Sequence, residues 1–507
     1  MTSKISIFIP DNLHINQKNF TSFHKFLEKS GASAHFETER KDWIALYGNY
    51  ESKASVLYER YRVLSHLSSP VLFKYTVKGV NLFKAARAET LALVSTSSTW
   101  YDNAYPDSAK AIFEKLYQNN RAILLQNMAA AWDWLDFWSS RLASQPVHTH
   151  ACIFSGSLIY QRSLMEYLRL TPTKVLVMES FFTGNDYYCE EKYEPIANNC
   201  SIRHKAVFNS LGGYDSEDVH ERERTKAINK ILLRENKNVQ QPEQAAPIKF
   251  TDPNAPVVAI LGQVVNDFSL LEYKQLGLAS IAFYKNLILE LTRAGLNVVF
   301  KAHPWEEKKI NIRHSLTRDV IADYVRSLPE TLQNRIAIVD HYPLKALFEE
   351  CTFVTGLNSQ GLLEAAFEGL KPVQFGNAFF GQKGFTHDYL LHDISRFVSD
   401  ISAGNIQGTL TLSEFRRFEE FSTRLLQRQL VSVHDSGVSR LTELFSLPAH
   451  IGLVKGKPKQ AAANAANGIS APAKTESKAK AKKATTALLN DAVKAKNNIK
   501  EAITPSA

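Results

Sequence analysis

Apolar positions along the chain follow two rhythms, one of short continuous runs and one of helical spacing. Ile5 to Ile9 is a continuous run stopped by Pro10, with Asp11, Asn12 and His14 just beyond it. Phe20, Phe23, Phe26 and Leu27 then recur at helical spacing up to Gly31, so the chain opens with a strand and a helix. From about Asn103 to Leu142 the pattern is helical and aromatic, and Trp132, Trp134 and Trp138 fall within it. These tryptophans suit a sugar-stacking platform or a membrane-facing patch, but packing between helices is favoured, because Trp is usually largely buried. A run from Ala151 to Phe154 reads as a buried strand, and Ser155-Gly156-Ser157 as a tight turn into a helix reaching Leu170. Lys174 to Met178 predicts a second such strand, ending at Glu179 and opening into a polar, aromatic loop that holds Asn185 and Asp186.

Pro242, Pro247, Pro253 and Pro256 among Gln, Asn and Ala mark a linker. Beyond it strands are expected at 257–261, 297–300, 336–339, 351–354 and 372–375. Helices are expected between them near 277–294, 315–328, 343–349 and 360–369. Such alternation predicts a parallel sheet covered on both faces. The expected organisation is an α/β N-terminal domain over 1–240 with helical insertions, a linker over 241–256, and a second α/β domain over 257–400. Closing helices follow over 401–450, near 414–431 and 438–445. The Ala/Lys-rich tail over 455–507 has too few large apolar residues to pack and is expected to be disordered, with a transient helix near 484–502.

Charge changes the picture only at that tail. The formal net charge is +9, yet from Lys455 onward eleven lysines face three acidic residues, a net of +8 that leaves the body nearly neutral. The body therefore offers no basic groove for nucleic acid, and the tail suits either attraction to an anionic membrane surface or a solvated extension without function. Cys152, Cys189, Cys200 and Cys351 form no C-x-x-C pair, so neither a zinc site nor a disulfide framework is expected, and a reducing cytoplasm is the default. No signal sequence is read at the N-terminus, and no window approaches the roughly 20 apolar residues of a membrane span. The expected location is the cytoplasm, peripheral to the inner face of its membrane.

The candidate chemistry sits where strands end. Gln263-x-x-x-Asp267-x-Ser269 follows the strand at 257–261, and an aspartate there can act as nucleophile, general base or partner of a cationic transition state. Lys301-x-His303-Pro304 follows the next strand, where histidine can donate to a phosphate and proline fixes the loop. Thr355-Gly356-Leu357-Asn358-Ser359-Gln360 then turns a strand into a helix whose free N–H groups are expected to point into the cleft, with Glu364 one turn inside. Ordinary capping also explains Asn358 and Ser359. Glu179 suits a cleft carboxylate as well as it suits a cap or a partner for lysine.

The series Gly-Gln-Val-x-x-Asp-x-Ser, Lys-x-His-Pro, Thr-Gly-x-x-Ser-x-x-x-x-Glu-Ala and Gly-x-Lys-Pro-Val-x-x-Gly resembles the bacterial capsule polysaccharide biosynthesis family that contains the β-Kdo transferases of group 2 capsules. The resemblance is clearest over about 255–390 and fainter over 150–200; it does not cover the first 140 residues or the tail. It implies a GT-B-like fold, two Rossmann-like domains facing a cleft, and retaining, metal-independent transfer from CMP-Kdo. By resemblance Asp267 is the nucleophile or cation stabiliser, Glu179 the acid/base from the opposite domain, and His303 with Ser359 the holders of the CMP phosphate. A retaining transfer needs two carboxyl groups flanking the anomeric carbon, about 5 Å apart in the analogous hydrolases. No Asp-x-Asp occurs in the chain, which suits a site without a metal.

The expected donor contacts are thus Gln263, Ser269, Lys301, Pro304, Asn358, Ser359, Gln360 and Glu364, and the acceptor-side residues Asp11, Asn12, Asn185 and Asp186. No cofactor is expected beyond a nucleotide-sugar co-substrate, CMP-linked by resemblance. The partners are a glycan or glycolipid acceptor and other capsule assembly proteins, with no nucleic acid. The segment Phe375 to Thr386 keeps the family's rhythm but lacks its proline and tyrosine, and the loop over 180–199 is not the family's usual one. CMP-sialic acid or a UDP-sugar as donor, and a non-catalytic role in capsule assembly or export, therefore stand as alternatives.

Overall fold

The computed structural model describes residues 5–103, 106–233, 246–272, 280–309, 311–435 and 437–445. The expected tail over 455–507, the start of the linker over 241–245 and the end of the closing segment over 446–450 lie outside the described residues. Twelve strands, numbered here in chain order, build two six-stranded sheets. They are β1 (Ser6–Ile9), β2 (Ser33–Phe36), β3 (His150–Phe154), β4 (Lys174–Ser180), β5 (Asp186–Glu191), β6 (Val257–Leu261), β7 (Asn297–Lys301), β8 (Ile336–Val339), β9 (Phe353–Gly356), β10 (Val373–Gln374), β11 (His387–Asp388) and β12 (Val431–Ser432).

The second sheet is parallel throughout, with strand order β8-β7-β6-β9-β10-β11. That is the doubly wound order, and it reverses direction between β6 and β9, the place where open α/β sheets bind ligands. Its central strands carry continuous apolar runs because helices cover both faces; β7 is buried at all five positions, including Asn297 and Lys301. The helix Ser280–Arg293 supplies one such cover, burying Ile281, Tyr284, Leu287, Ile288 and Leu291 at helical spacing. Gly376 passes so close beneath the turn after β9 that a β-carbon there would lie 2.6 Å from the Leu357 carbonyl carbon.

The first sheet runs β2-β1-β3-β4-β5-β12. β2, β1, β3 and β4 are parallel, whereas β5 and β12 are antiparallel to their neighbours. It has its own reversal point between β1 and β3. The helices between β2 and β3 form the insertion that the aromatic pattern foreshadows. Trp134 and Trp138 on the helix Arg121–Ala143 are buried and stacked at 5.1 Å, so they are core, and Trp132 is partly buried against the same cluster. One apolar cluster runs from this insertion through the facing sides of both sheets into the second half, and each sheet's outer face has a cluster of its own.

Three expectations are corrected. β4 continues through Glu179 to Ser180, so Glu179 lies within the strand, opposite Tyr188, and not beyond its end. Asp186, with Tyr187 and Tyr188, belongs to β5 and not to a loop. The closing segment is not helix alone: Leu412–Thr423 passes into a π-helix at Arg424–Gln429, then β12 joins the first sheet. The short helix Ser439–Leu444 follows, and Phe445 stacks on Phe26 at 4.7 Å. The first half is thus completed by residues that follow the second.

Candidate functional site

A cavity of about 720 Å³ lies between the carboxyl edges of the two sheets, within the 300–1,000 Å³ typical of ligand pockets. From the first half it is lined by His14, Phe154, Glu179 and Asn198, and from the second by residues after β6, β7 and β9. The halves are pinned beside it. Asn198 Nδ2 donates to the Asn377 carbonyl at 3.2 Å, and its Oδ1 receives the Phe379 N–H at 2.7 Å. Arg162 bonds both carboxyl oxygens of Glu272 at 2.8 and 2.7 Å.

At the reversal point of the second sheet three polar side chains bond one another. Gln263 Nε2 donates to Asn358 Oδ1 at 2.7 Å, and Gln263 Oε1 receives the Asn358 N–H at 2.9 Å. Ser269 Oγ donates to Asn358 Oδ1 at 3.0 Å, and Asn358 Nδ2 donates to the Ser269 carbonyl at 3.1 Å. These three line the cavity, but their groups are largely committed to one another, so they brace the wall more than they offer it to a donor. The brace places Asp267, whose Oδ1 receives the Ser269 N–H at 2.8 Å as the cap of the short helix Phe268–Leu271.

The expected free N–H groups after β9 are not free. The N–H of Gly361 bonds Ser359 Oγ at 3.3 Å, and those of Leu362, Leu363 and Glu364 bond the carbonyls of Ser359 and Gln360 at 3.1, 2.9 and 3.4 Å. The helix Gly361–Phe367 is only seven residues long, and its first turn satisfies itself. Ser359, Gln360 and Glu364 still line the cavity, and Gln360 Oε1 is buried with no hydrogen-bond partner.

After β7 the loop offers charge and a fixed donor. Burial pushes Lys301 down to about 8, only partly opposed by Asp340, and its ammonium group donates to the Asp340 carbonyl. Burial also pushes His303 down to about 4 against the pull of Asp267, so its ring is neutral near pH 7. Nδ1 accepts the Trp305 N–H at 3.1 Å, which places the ring proton on Nε2. Pro304 and Lys309 line the cavity beside it. Glu306, which the sequence reading missed, is buried behind this loop and receives the N–H groups of Val265 at 3.2 Å and Thr317 at 2.7 Å, tying the β6 and β7 loops together.

Glu179 approaches from the opposite sheet. Burial raises its carboxyl to about 7, the charge of Asp267 adds to the rise, and a hydrogen bond with Ser155 opposes it. Its Oε2 is buried with no hydrogen-bond partner, and Glu179 makes no ion pair among the described residues, so the lysine-partner alternative is set aside. A carboxyl group poised near neutrality, sensing the charge of a second carboxylate on the same cavity, has the makings of an acid/base pair.

The acceptor-side expectations fare worse. Asp11 is buried behind the wall and reaches the cavity only through His14, which it bonds. Asn12 is exposed and does not line it. Asp186 is buried under Lys230 and Thr183, and the Asn185 carbonyl accepts the Val433 N–H; both hold the β5 edge away from the cavity. His14 and Phe154, neither of them expected, do line it. The Asp11-x-x-His14 spacing after the first strand was the available signal. One trio among the described residues, Glu307, Asp340 and His341, has ligand atoms within 4.8 Å of one another. It lies outside the cavity lining, with Asp340 held by Arg318 at 2.6 Å and Glu307 by Ser315 at 2.8 Å.

Two Rossmann-like sheets whose carboxyl edges share one cavity define a GT-B-like protein, the architecture of nucleotide-sugar glycosyltransferases. Residues 189–399 match the model described as "Capsule polysaccharide biosynthesis protein". The match takes in Asp267, His303 and the 358–364 turn and begins ten residues after Glu179.

Among solved structures, the chain is similar to the β-Kdo 2,4 transferase of KpsC from Thermosulfurimonas dismutans, at 16% identity and TM-score 0.36, covering 55% of this chain and 79% of that one. The β-Kdo 2,7 transferase of the same KpsC gives 14% and 0.34, with 61% and 88% covered. The α,α-trehalose 6-phosphate synthase of Burkholderia multivorans gives 11% and 0.33, with 87% and 96% covered. No curated protein sequence matches the chain.

Proposed function

We propose that this protein is a retaining, metal-independent glycosyltransferase of capsule or surface-polysaccharide assembly that transfers Kdo from CMP-Kdo to a glycan or glycolipid acceptor. The observation that carries the reading is the pair Glu179 and Asp267: carboxyl groups from opposite sheets face one cavity, and the charge of one raises the proton affinity of the other. In the proposed reaction the Asp267 carboxylate attacks the anomeric carbon as the bond to the CMP phosphate breaks. The leaving phosphate is met by the Nε2–H of His303 and the charge of Lys301, with Lys309 alongside. The acceptor oxygen then displaces Asp267 from the same carbon, and its proton passes to Glu179; two inversions give net retention. The Gln263–Asn358–Ser269 brace keeps Asp267 aimed.

CMP release from CMP-Kdo tests the reading, with Asp267→Ala as the control that should abolish it. Release from CMP-sialic acid or a UDP-sugar in place of CMP-Kdo would reassign the donor. No release with any of them would overturn the enzyme reading in favour of a non-catalytic assembly or export partner. No described helix is long and apolar enough to cross a membrane. The proposed membrane contact is peripheral, through the lysine-rich tail.

A further inference from the structure

The first sheet has a reversal point of its own, between β1 and β3, and such crevices bind ligands in doubly wound sheets. His14 follows β1 and Phe154 ends β3, and both line the shared cavity. Their rings stack at 4.9 Å with an interplanar angle of 15°, and Phe20 meets Phe154 edge-on at 6.3 Å, so the imidazole is held in place.

The hydrogen bonds around His14 decide which nitrogen carries its proton. Nδ1 lies 3.1 Å from Asp11 Oδ1 and 3.1 Å from Tyr160 Oη. Tyr160 gives its one hydroxyl hydrogen to Asp11 Oδ2 at 2.7 Å and receives Gln161 Nε2 at 2.9 Å. Burial works to raise Asp11, but the bonds from His14 and Tyr160 outweigh it and hold the carboxyl below its ordinary value, so it is ionised. Both neighbours of Nδ1 are therefore acceptors, and Nδ1 must be the protonated nitrogen. In the neutral form of the ring Nε2 is then bare, and the described residues supply it no hydrogen-bond partner. His303 faces the same cavity with the opposite arrangement, its proton on Nε2.

We infer that His14 and Phe154 form a subsite for a saccharide of the acceptor, in which a ring hydroxyl donates to His14 Nε2. The inference rests on the transferase reading above and adds the acceptor's place and polarity to it. β1 stands two strands from β4, which carries Glu179, a separation of about 10 Å at the usual strand spacing. In the proposed reaction Glu179 takes the proton of the reacting hydroxyl, so His14 is assigned as a positioning residue that holds a second hydroxyl of the acceptor. Asp11, Tyr160 and Gln161 act through it by fixing the tautomer.

The test has two arms on the full chain. In 15N-histidine-labelled protein, long-range proton–nitrogen spectra above pH 8 report the tautomer, with His14→Asn identifying the resonance. Protonated Nδ1 is expected, and an Nε2–H tautomer overturns the subsite whatever the kinetics. In the second arm CMP-Kdo is the donor and a fluorescent Kdo-capped lactoside the acceptor probe. Asn keeps an amide donor where Nδ1 stands and loses Nε2, whereas Gln can set an amide oxygen near Nε2. His14→Asn is expected to raise the acceptor KM about tenfold, the scale of one hydrogen bond, with kcat within about threefold, and His14→Gln to recover part of the loss. An acceptor KM within about twofold of wild type in His14→Asn overturns the proposal. Wild-type protein that releases no CMP overturns the transferase reading and the subsite with it. Wild-type protein that releases CMP without glycosylating the probe leaves the tautomer to decide.

Discussion

Gln263 and Asn358 bond each other twice across the reversal point of the second sheet, side chain to side chain at 2.7 Å and side chain to backbone at 2.9 Å. Both are buried, so removing one amide leaves the other's groups unpaired. Asn358→Ala should cost about 1–3 kcal/mol, read as a lower urea midpoint for the second half. Because Ser269 loses a partner too, Asp267 should drift, and turnover should fall by more than the stability loss explains. Unchanged turnover in a folded Asn358→Ala protein would show that the brace does not aim Asp267.

Glu179, held up at about 7 by burial and by Asp267, sets the pH dependence. As the base it must be ionised, so kcat/KM should climb about tenfold per pH unit below about 7 and level off above it. Glu179→Gln should remove that limb and lower turnover by about 10²–10⁴. Stability runs the other way. A carboxyl whose folded value lies above its unfolded value of 4.5 favours the fold at low pH and loses that contribution as pH rises through about 7. Glu179→Gln should therefore gain stability over wild type at pH 8 and lose the advantage toward pH 4. Equal denaturation midpoints at pH 8 would argue against a raised carboxyl.

Asp267→Asn separates charge from capping. The amide oxygen can still accept the Ser269 N–H, so the short helix should persist and thermal unfolding should stay close to wild type. Without the negative charge Glu179 should titrate lower, and the acidic limb of any residual activity should move down in pH. A limb that stays at the same pH would mean that the two carboxyl groups do not sense each other.

The second half was legible because its strands are buried on both faces and read as unbroken apolar runs, as at Val257–Leu261. β5 was hidden by its chemistry. Asp186, Glu190 and Glu191 look like loop residues, yet Glu190 is buried and satisfied by the Ser201 N–H at 2.9 Å and by Gln429 at 2.6 Å, a residue 239 positions away. β12 is two residues long and carries no periodicity of its own. Asp267 and His303 could be placed from strand ends, since the carboxyl edge of a parallel sheet is where such residues collect, whereas Glu179 lies inside β4 and local pattern left it level with a cap. The role of His14 depends on Tyr160, which no local spacing connects to it. The free N–H groups expected after β9 failed for a reason of length, since a two-turn helix can close its first turn with three-residue bonds.

The tail poses a question of charge alone. Eleven lysines from Lys455 onward would each add roughly 1 kcal/mol when held near an anionic bilayer. Co-sedimentation with phosphatidylglycerol vesicles should be strong at low salt, fade as salt shortens the Debye length, and be lost on deletion of 455–507. Undiminished binding by the truncated protein would place the membrane contact elsewhere.

Asn198 is the residue to change if the two halves must part for turnover. Its backbone sits in the left-handed region at φ 50°, which glycine adopts without strain, so Asn198→Gly keeps the turn while deleting both bonds to the 377–379 segment. Two hydrogen bonds are worth about 1–3 kcal/mol, enough to shift a closed cleft appreciably toward open. The expected result is a higher KM for donor, faster amide exchange around Phe379, and little change in the urea midpoint of either sheet. An unaltered exchange rate at Phe379 would show that the other bonds between the halves, such as Arg162–Glu272 at 2.8 and 2.7 Å and Asn311 Nδ2 to the Tyr47 carbonyl at 2.7 Å, hold them together without Asn198.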